Sequence, residues 1–500
     1  FDLGTAQTKV AYVDATGKGC SVHNARGEER TPTVIHVSES GTVLVGNDAV
    51  EQGYLEPERC AKGFKLLLGT TDSLFKSGPL VTATDAAAAV IAQAKEDVER
   101  ATGRACTQCV ATCPANFRDD QKDALIEAYR RNDIEVLRLI PEPTAAAIAY
   151  RAASSRENAT ILVFDFGGGT FDVSVVRAEG SQLTVLATDG VPKLGGNDID
   201  NCIRKRVLDE VEAKLGRRPT REAAPLFFQD LDVRVTAAKI SLNSREKVAI
   251  VSSIDGHQIV TEIERSQFHA DIEPLLRQAL DTMDSAVNAA GLNYDQITQL
   301  IMVGGSSRLV RAQEMVADHT GLVPKTDIDP EKAIAYGAAL AAIDEMAKKG
   351  ETAEFRGQKI PSPNLFIQDV TAHGVGCCTV DTSKPDRPMI NSVLIRQNTA
   401  IPCRKVDRFH LEKDDQTEAT VEILQGKEDA LRDDCLIIGK LELKGLPPED
   451  KATARIQVEY TIDTNGMVTA TATDLVGGST QTVSVDYKKG IKPKSGPAAA

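Results

Sequence analysis

The feature that most constrains the fold is a pattern of thirteen residues that occurs twice in the chain. Residues 1–13 read FDLGTAQTKVAYV, and residues 164–176 read FDFGGGTFDVSVV. The two segments align without a gap, which places Asp2 opposite Asp165. Each copy consists of an apolar strand, a tight turn of small residues and a second strand with period-two alternation. The pattern therefore predicts one strand–turn–strand unit in each half of the α/β region.

A second repeated pattern lies further along each half. The segment PEPTAAAIAY at 141–150 resembles DPEKAIAY at 329–336, and each follows a predicted strand and opens an Ala-rich helix. Pro143 and Pro330 suit the first turn of a helix, and Asp329 suits an N-cap. Because two separate pieces recur in the same order, chance similarity is the weaker explanation. The sequence predicts two similar α/β lobes.

The α/β pattern ends near Lys349, and the composition changes there. Residues 350–369 contain several Gly and Pro residues that break regular structure, and the periodicity beyond them is strand-like. Asn465-Gly466 is a strong hairpin signal. We expect a separate all-β domain, a sandwich, followed by a disordered tail at 488–500. Helices are predicted at 85–101, 198–215, 226–243 and 266–290, and strands at 247–254, 258–263, 393–396, 419–424, 436–443, 454–462, 468–473 and 481–485.

Charge and composition exclude several classes of protein. The 500 residues carry a formal charge of −14, which disfavours a general binder of nucleic acids or anionic membranes. The longest apolar run, at 333–343, is shorter than the ~20 residues of a membrane helix. The low density of cysteines favours a reducing compartment. Cys106, Cys109 and Cys113 are either three metal thiolates or, in the favoured interpretation, small buried residues entering a strand.

Glycine-rich turns after apolar strands point to phosphate. Consecutive backbone N–H groups that no side chain crowds can bind a phosphate, and a helix N-terminus adds its dipole. One such turn is weak evidence, but three together predict a nucleotide site. The turns are Gly167-Gly168-Gly169-Thr170, Gly195-Gly196-Asn197-Asp198 and Gly304-Gly305-Ser306-Ser307.

Two aspartates stand beside these turns. Asp2 and Asp165 occupy equivalent positions in the repeat, so we expect both to face the cleft between the lobes. Phosphates and paired carboxylates repel each other unless a cation lies between them. The pair therefore predicts Mg²⁺, bound through water. For either aspartate alone, a turn-capping role remains an alternative.

Ten short segments of the chain match one protein family, and they follow one another in the same order as in that family. The chain resembles the 70-kDa heat-shock chaperones (the Hsp70 family, with the bacterial DnaK group), in a divergent and bacterial-looking form. Each piece alone is shared with actin and sugar kinases, but the combination is specific. The segments are FDLGT at 1–5, FKLLLG at 64–69, CPANF at 113–117, PEPTAAAIAY at 141–150, FDFGGGTFDVS at 164–174, LGGNDID at 194–200, VGGSSR at 303–308, DPEKAIAYGAA at 329–339, NTAIP at 398–402 and ILQG at 423–426.

The resemblance implies a domain plan and a function. It implies an actin-like ATPase with two ribonuclease H-like lobes over 1–359, a linker over 360–369 and a peptide-binding β-sandwich over 370–487. ATP hydrolysis would close a site for extended apolar segments of unfolded proteins, in the cytoplasm. The implied ligands are ATP or ADP, Mg²⁺ and K⁺. The implied partners are unfolded polypeptides, a J-domain cochaperone and a nucleotide-exchange factor, with no nucleic acid and no membrane.

The resemblance also assigns roles in the ATPase site. Lys65 would stabilise charge on the γ-phosphate and orient the attacking water, Glu142 would position that water, and Thr170 would contact the γ-phosphate. Asp165, a catalytic residue, would join Asp2 and Asp172 in organising Mg²⁺, K⁺ and their waters. The remaining nucleotide contacts are Gly4, Thr5, Ala6, Gln7, Gly167, Gly168, Gly169, Gly195, Gly196, Lys239, Gly304, Gly305, Ser306, Arg308 and Asp329. The family's Glu and Ser near the base and ribose are here Thr236 and Asn243.

Two coupling elements match the family less closely. Pro114 fits its switch proline, but Lys122 stands where an arginine is expected and lacks that residue's bidentate fork. The apolar segment Leu365-Phe366-Ile367 would be the docking linker, although Gln368 replaces an aliphatic residue before Asp369. A simple first β-strand is the alternative interpretation of this segment.

The β-domain would hold the peptide in an apolar groove. An extended peptide would pair with the strands while apolar pockets select its side chains. Glu412 stands where the family has a small arch residue, and Ala419 where a larger aliphatic residue is usual, so substrate preference is expected to shift. Core packing is an equally good interpretation of each single groove residue. The groove candidates are Val375, Cys377, Phe409, Glu412, Ala419 and Val421.

The chain is shorter than the family pattern in two places. Between Gly69 and Pro114 a small β-element is reduced, and no helical lid follows Val485. We expect that the lid, like the chain start before Phe1, was trimmed, or that this is a lidless relative. A small-molecule kinase and a nucleotide-gated binding protein with little turnover remain alternatives. The β-domain argues against the kinase, whereas Ala6 and the altered coupling elements keep the other alternative open.

Overall fold

The structure is a computed structural model, and its parts form two units that we describe separately. It describes residues 1–75, 81–153, 158–325 and 328–484. Unit 1 comprises Phe1–Asn116 and Ala124–Ile367, and unit 2 comprises Phe117–Asp123 and the chain from Gln368. The predicted tail at 488–500 lies outside the described residues.

Strands and helices alternate up to the linker, as the α/β pattern predicts. The strands are β1 (Asp2–Leu3), β2 (Gln7–Lys9), β3 (Ala11–Val13), β4 (Gly19–Ser21), β5 (Thr31–Pro32), β6 (Val34–Val37), β7 (Val43–Val45), β8 (Cys60–Lys62), β9 (Gln108–Cys113), β10 (Glu135–Pro141), β11 (Asn158–Phe166), β12 (Phe171–Glu179), β13 (Gln182–Val191), β14 (Lys247–Ile254), β15 (His257–Glu264), β16 (Gln299–Val303), β17 (Pro324–Lys325), β18 (Glu354–Phe355), β19 (Gln358–Lys359) and β20 (Phe366–Gln368). The helices are α1 (Asn47–Gln52), α2 (Ala83–Thr102), α3 (Asp119–Arg130), α4 (Glu142–Ala153), α5 (Gly196–Leu215), α6 (Pro225–Leu242), α7 (Arg265–Ala289), α8 (Val310–Thr320) and α9 (Ala333–Lys348).

Both copies of the repeated pattern are antiparallel hairpins. β1 pairs with β2, which places Asp2 opposite Lys9, and β11 pairs with β12, which places Asp165 opposite Asp172. The second hairpin forms the middle of a six-stranded mixed sheet in the order β17, β16, β11, β12, β13, β20. β16 runs parallel to β11, and both are buried almost throughout, as expected for strands covered on both faces.

Helices α5 to α8 share one apolar core with this sheet. Their apolar residues join those of β11, β12 and β16 in one core cluster that includes Phe164, Ile199, Leu231 and Met283. The core consists of large aliphatic and aromatic side chains whose burial is the main stabilising contribution. This core holds β11 and β16 in place, and the Gly-rich turns that follow these two strands line the cleft described below.

Local signals explain both ends of α2 but not the start of α9. Thr82 caps α2 in a capping box with Asp85, and Gly103 ends that helix in the left-handed conformation. The prediction that Pro330 lies in the first turn of α9 with Asp329 as N-cap is wrong. That helix begins at Ala333, and Asp329 instead accepts the N–H of Glu331 at 3.1 Å, within the turn that precedes the helix.

The breaker-rich segment after α9 packs back on unit 1. Strands β18 and β19 form a short hairpin, and the ring of Phe355 stacks on Tyr12 with centroids 5.2 Å apart. Ala353 and Ile360 pack beside Ile343 in a small apolar cluster. The Leu365 N–H then bonds a buried carboxylate oxygen of Asp344 at 2.8 Å, which fixes the start of the linker.

Unit 2 contains two four-stranded antiparallel sheets. Their orders are β22, β21, β24, β25 and β23, β26, β27, β28, and inward residues of both sheets share one apolar core. The predicted strands over 419–473 match β24 to β27 within a few residues. β21 and β23 were not predicted; β23 is mostly exposed and polar, so alternation gives no signal there. The strands are β21 (Val375–Val380), β22 (Met389–Ile395), β23 (Cys403–Phe409), β24 (Glu418–Gln425), β25 (Leu436–Lys444), β26 (Ile456–Ile462), β27 (Val468–Asp474) and β28 (Thr480–Ser484).

In the described ranges, no helix has both the length and the apolar composition that crossing a bilayer requires.

A buried ion pair joins the start of β26 to the end of β27. The Arg455 guanidinium donates to both carboxylate oxygens of Asp474 at 2.8 Å and to the Pro447 carbonyl at 2.7 Å. Both side chains are fully buried. Removing one partner of such a pair leaves an uncompensated charge in the interior.

We predict that Arg455→Met destabilises unit 2 by about 3–5 kcal/mol. The matched control is Arg404→Met, because Arg404 makes an exposed bidentate pair with Glu459 and should cost less than about 1 kcal/mol. The measurement is urea-dependent hydrogen exchange of the β26 and β27 amides in the full chain. Equal costs for the two variants would contradict the prediction.

Candidate functional site

The two repeated hairpins meet across a cleft of about 750 Å³ in unit 1. Their turns approach closely: a Cβ on Gly169 would lie 2.8 Å from the Thr5 side chain. Gly304 has φ +83°, and a Cβ there would lie 2.5 Å from the Phe166 carbonyl oxygen. Only glycine permits this backbone conformation and these contacts. The glycine pattern thus lets the backbones of these turns line one cavity.

A buried lysine–glutamate pair lies in the cleft. Lys65 follows the left-handed Gly63, in a short 3₁₀ turn, and Glu142 begins α4. The Lys65 ammonium lies 2.6 Å from the Glu142 carboxylate, and the lysine side chain is only 1% exposed. Burial alone would lower the pKa of Lys65, but the negative charges of Glu142 and Asp2 raise it overall. The cleft therefore holds a charged ammonium group.

The second hairpin contributes two buried carboxylates. Burial, followed by the charge of Glu142, raises the pKa of Asp172 to about 8. Burial and the charges of Glu142 and Asp172 raise the pKa of Asp165 well above its usual range. One oxygen of each, Oδ2, is buried without a hydrogen-bond partner. The hairpin thus carries two buried carboxyl oxygens that no protein group satisfies.

These carboxylates fit a hydrated Mg²⁺ ion. Hard oxygen donors with unsatisfied lone pairs suit this ion, which keeps much of its water shell. Among the described residues, no group of three or more Asp, Glu, His or Cys side chains is arranged to ligate a metal directly. Asp165 and Asp172 would therefore hold Mg²⁺ through water, and the ion would supply charge that offsets a bound polyphosphate.

Asp2, unlike Asp165, has a lysine ammonium beside its carboxylate. The Lys9 ammonium lies 3.5 Å from Asp2 Oδ2, and Lys9 lines the cleft. The resemblance implies K⁺ at Asp2, Asp165 and Asp172 as a set, and at Asp2 a lysine ammonium already lies beside the carboxylate. Lys9 was not among the predicted site residues, although the repeat aligns it with Asp172.

Polar groups from α5, α6 and the turn at 304–308 also line the cleft. Lys239 lies 2.9 Å from Asp200 Oδ1 and bonds the Gly196 carbonyl at 3.1 Å. Ser306 Oγ donates to the Gly167 carbonyl at 2.8 Å, which ties two phosphate-type turns together. These contacts hold the Gly-rich turns in place around the cavity.

An ion-pair network of charged side chains borders the cleft near Arg308. Arg308 donates to Asp329 at 2.7 Å and lies 3.3 Å from Glu331, which also pairs with Arg30. Asp329 lines a separate small cavity of about 70 Å³ together with Arg308. Arg30 and Glu331 were not predicted, because sequence gives no reason to select them from other charged surface residues.

The two residues that replace the family's Glu and Ser have structural partners. Thr236 donates its hydroxyl to Asp200 at 2.9 Å. Asn243 donates to the Arg308 carbonyl at 3.3 Å and accepts the Val310 N–H at 3.2 Å, so it caps the start of α8. Both nevertheless line the cleft.

Most of the predicted ATP-site residues line one cavity. Asp172 is fully buried behind Asp165, and Gly169 and Gly195 pack against neighbouring turns. Of the unpredicted lining residues, Lys9 and Asp200 lie within the quoted motifs, whereas Arg30 lies between them. The predicted residues on the cleft wall are Asp2, Gly4, Thr5, Ala6, Gln7, Lys65, Glu142, Asp165, Gly167, Gly168, Thr170, Gly196, Lys239, Gly304, Gly305, Ser306 and Arg308.

The predicted linker is a strand at the edge of the six-stranded sheet. The Phe366 N–H bonds the Ser181 carbonyl at 3.1 Å, and Arg138 donates to the Ile367 carbonyl at 3.3 Å. Ile367 is 9% exposed and Leu365 is buried, whereas Phe366 is 60% exposed. Alternate residues of the segment therefore face the protein.

The remaining predicted residues lie elsewhere. Pro114 follows β9 and is buried, and Lys122 lies in α3, 3.7 Å from Asp119. Asp369 is buried at the start of unit 2. Four groove candidates, Val375, Cys377, Ala419 and Val421, are buried in the core of unit 2, with Phe409 partly buried against it. Glu412 is exposed, 3.6 Å from Arg387.

The cysteine cluster lies in and beside β9. Cys109 and Cys113 belong to the strand, and Cys106 precedes it; all three are buried. Burial raises the pKa of Cys109 to about 12, which disfavours a thiolate. This environment supports the interpretation of small buried residues.

We predict that Asp172→Asn stabilises the protein in the absence of nucleotide and Mg²⁺. Folded Asp172 holds its proton more tightly than unfolded Asp172, so stability falls as pH rises towards about 8 and then levels off. Asparagine removes this contribution and keeps an oxygen to accept the Asn116 N–H. Melting temperatures measured between about pH 5 and about pH 8 should therefore fall less in the variant.

The same variant should weaken the Mg²⁺ dependence of ATP affinity. The control is Asp295→Asn, an exposed position outside the cleft, which should change neither property. A lower melting temperature of Asp172→Asn than of the unsubstituted protein at pH 8 would contradict the prediction.

Comparison with known proteins gives the family. The model of the Hsp70 protein family matches residues 1–496. The chain is 31% identical over 494 residues to the chaperone protein DnaK of Thermotoga neapolitana, an alignment that covers 97% of this chain and 79% of the relative. DnaK of Thermotoga maritima has the same identity and coverage. The cleft, the family match and these relatives agree, and the chain therefore belongs to the Hsp70 family of ATP-hydrolysing chaperones.

Proposed function

We propose that the chain is an ATP-driven chaperone whose ATPase lies in unit 1 and whose peptide site lies in unit 2. The observation that carries the proposal is the buried Lys65–Glu142 pair in a cleft that also presents Asp165, Thr170 and three Gly-rich turns. The proposed domains are a duplicated-lobe ATPase over 1–359, a linker over 360–369 and a peptide-binding β-sandwich over 370–487.

The proposed chemistry is attack of water on the γ-phosphate of ATP. Phosphoryl transfer needs charge stabilisation and positioning more than covalent chemistry. The Lys65 ammonium would offset charge that develops on the γ-phosphate. Glu142, held by that ammonium, would accept a hydrogen bond from the attacking water and set its direction. Thr170 and the backbone N–H groups of the turns would bind the phosphate oxygens.

The nucleotide state would reach the peptide site through the linker. Segment 365–367 is held on unit 1 by backbone hydrogen bonds and by the burial of Leu365 and Ile367. Releasing it would expose two aliphatic side chains, which gives the docked and released states different energies. Clients would be extended apolar segments of unfolded cytoplasmic proteins, with a J-domain protein and a nucleotide-exchange factor as partners.

We predict that Lys65→Ala lowers ATP turnover by about 10²–10³-fold. ATP affinity should change far less, because the Gly-rich turns supply most phosphate contacts. The matched control is Lys62→Ala, since Lys62 lies three residues earlier, is half-exposed and pairs with Asp232 instead of the cleft residues. Turnover by phosphate release and affinity by calorimetry provide the measurements. Unchanged turnover in Lys65→Ala would remove this lysine from the catalytic machinery.

We predict that an extended apolar peptide stimulates turnover of the full chain and that Ile367→Asp abolishes the stimulation. An aspartate at this buried position carries a desolvation cost that disfavours the docked strand. The control is Val323→Asp, at a position that is 81% exposed in unit 1. Turnover that ignores peptide in the unsubstituted protein would instead favour a free-running ATPase or a kinase that lacks its substrate.

A further inference from the structure

Lys9 is a second lysine that lines the cleft besides Lys65, and the family resemblance assigns it no role. Its side chain is mostly buried and lines both the main cleft and the adjoining small cavity. Its ammonium lies 3.5 Å from Asp2 Oδ2, and the Asp2 side chain is 3% exposed. A partly buried cation with a buried carboxylate is unlike the exposed ion pairs of the surface, which contribute little.

The hairpin fixes this pair. Asp2 and Lys9 are directly opposite each other across β1 and β2, and side chains at opposite positions lie on the same face of a hairpin. In the second copy of the repeat, Asp165 and Asp172 occupy the same two positions. One hairpin therefore presents a carboxylate and an ammonium to the cleft, and the other presents the carboxylate of Asp165 with that of Asp172 buried beside it.

Lys9 adds one positive charge to the group of buried carboxylates in the cleft. Among the described residues there, the carboxylates of Asp2, Glu142, Asp165 and Asp172 face the ammonium groups of Lys65 and Lys9. When these carboxylates are ionised around a bound Mg²⁺ ion, Lys9 lowers the excess of negative charge beside the phosphates by one. If Lys9 were neutral, one further monovalent cation would be needed, because buried uncompensated charge is costly.

Lys9 also acts on the catalytic pair. Burial raises the pKa of Glu142, and the positive charges of Lys65 and Lys9 oppose that rise. Lys9 thus favours the ionised form of the group proposed to position water. Its influence extends beyond the carboxylate that it contacts.

We propose that the Lys9 ammonium takes the place of a monovalent cation beside Asp2, so that the chain binds and turns over Mg–ATP without K⁺. This inference rests on the proposed ATPase function, since it concerns the ion requirement of that site. It assigns Lys9 as a positioning residue that holds Asp2 and offsets charge near the β- and γ-phosphates.

The test compares potassium chloride with choline chloride at equal ionic strength, so that screening is the same. For the unsubstituted chain, both the affinity for Mg–ATP and the turnover rate should differ by less than about twofold between the salts. In Lys9→Ala, which leaves room for an ion, both should fall by about tenfold in choline and recover in potassium, because losing one close charge pair is worth about one decade. Potassium should also raise the melting temperature of this variant alone.

The control is Lys18→Ala, because Lys18 is an exposed lysine of the next hairpin and lies outside the cleft. It should match the unsubstituted chain in both salts. Affinity is measured by calorimetry, so this readout does not require hydrolysis.

Two results would overturn the inference. One is a tenfold loss of affinity or turnover when choline replaces potassium in the unsubstituted chain. The other is a Lys9→Ala variant that binds Mg–ATP and responds to salt as the unsubstituted chain does. If Lys9→Ala does not fold, the comparison of the two salts in the unsubstituted chain is sufficient to test the inference. A chain that binds Mg–ATP but hydrolyses none in any salt would refute the proposed ATPase, while its affinities would still test Lys9.

Discussion

The crowding of buried carboxylates around one cleft is the constraint on which the rest of unit 1 depends. Asp2, Glu142, Asp165 and Asp172 are all buried, and together they would repel each other. The protein offsets part of that repulsion with Lys65, in contact with Glu142, and with Lys9, in contact with Asp2. The two oxygens of Asp165 and Asp172 that lack partners remain for a hydrated cation.

The backbone around these charges is built for close approach. The turns that face them place glycine where a Cβ would collide with a neighbouring segment, with Thr5 at Gly169 and with Phe166 at Gly304. Backbone N–H groups can then bind phosphate without intervening side chains. Acidic side chains and Gly-rich backbone turns are therefore combined in one cavity, where a cation would reduce the repulsion between the carboxylates and a bound polyphosphate. This is why the site suits a magnesium–polyphosphate substrate.

Much of this arrangement could be predicted from the sequence, for a physical reason. A strand–turn–strand unit is local, so Asp2, Asp165 and the Gly-rich turns are recognisable from spacing alone. Lys9 was missed because a lone lysine reads as a surface residue unless the repeat is compared position by position. The partner of the linker strand was not predictable, because β13 precedes it by more than a hundred residues and edge pairing leaves no local signal. The buried Arg455–Asp474 pair could not be predicted either, because nothing in the sequence distinguishes these two residues from charged residues at the surface.

The most direct test of the account is hydrogen exchange of the full chain with and without Mg–ATP. The account predicts slower exchange in the segments that line the cleft, namely the two repeated hairpins, the turn at Lys65 and the turn at 304–308. It also predicts that this protection requires Mg²⁺, because the carboxylates would otherwise repel the phosphates. Protection confined to other segments, or protection of these segments that is unchanged when Mg²⁺ is removed, would contradict the central claim.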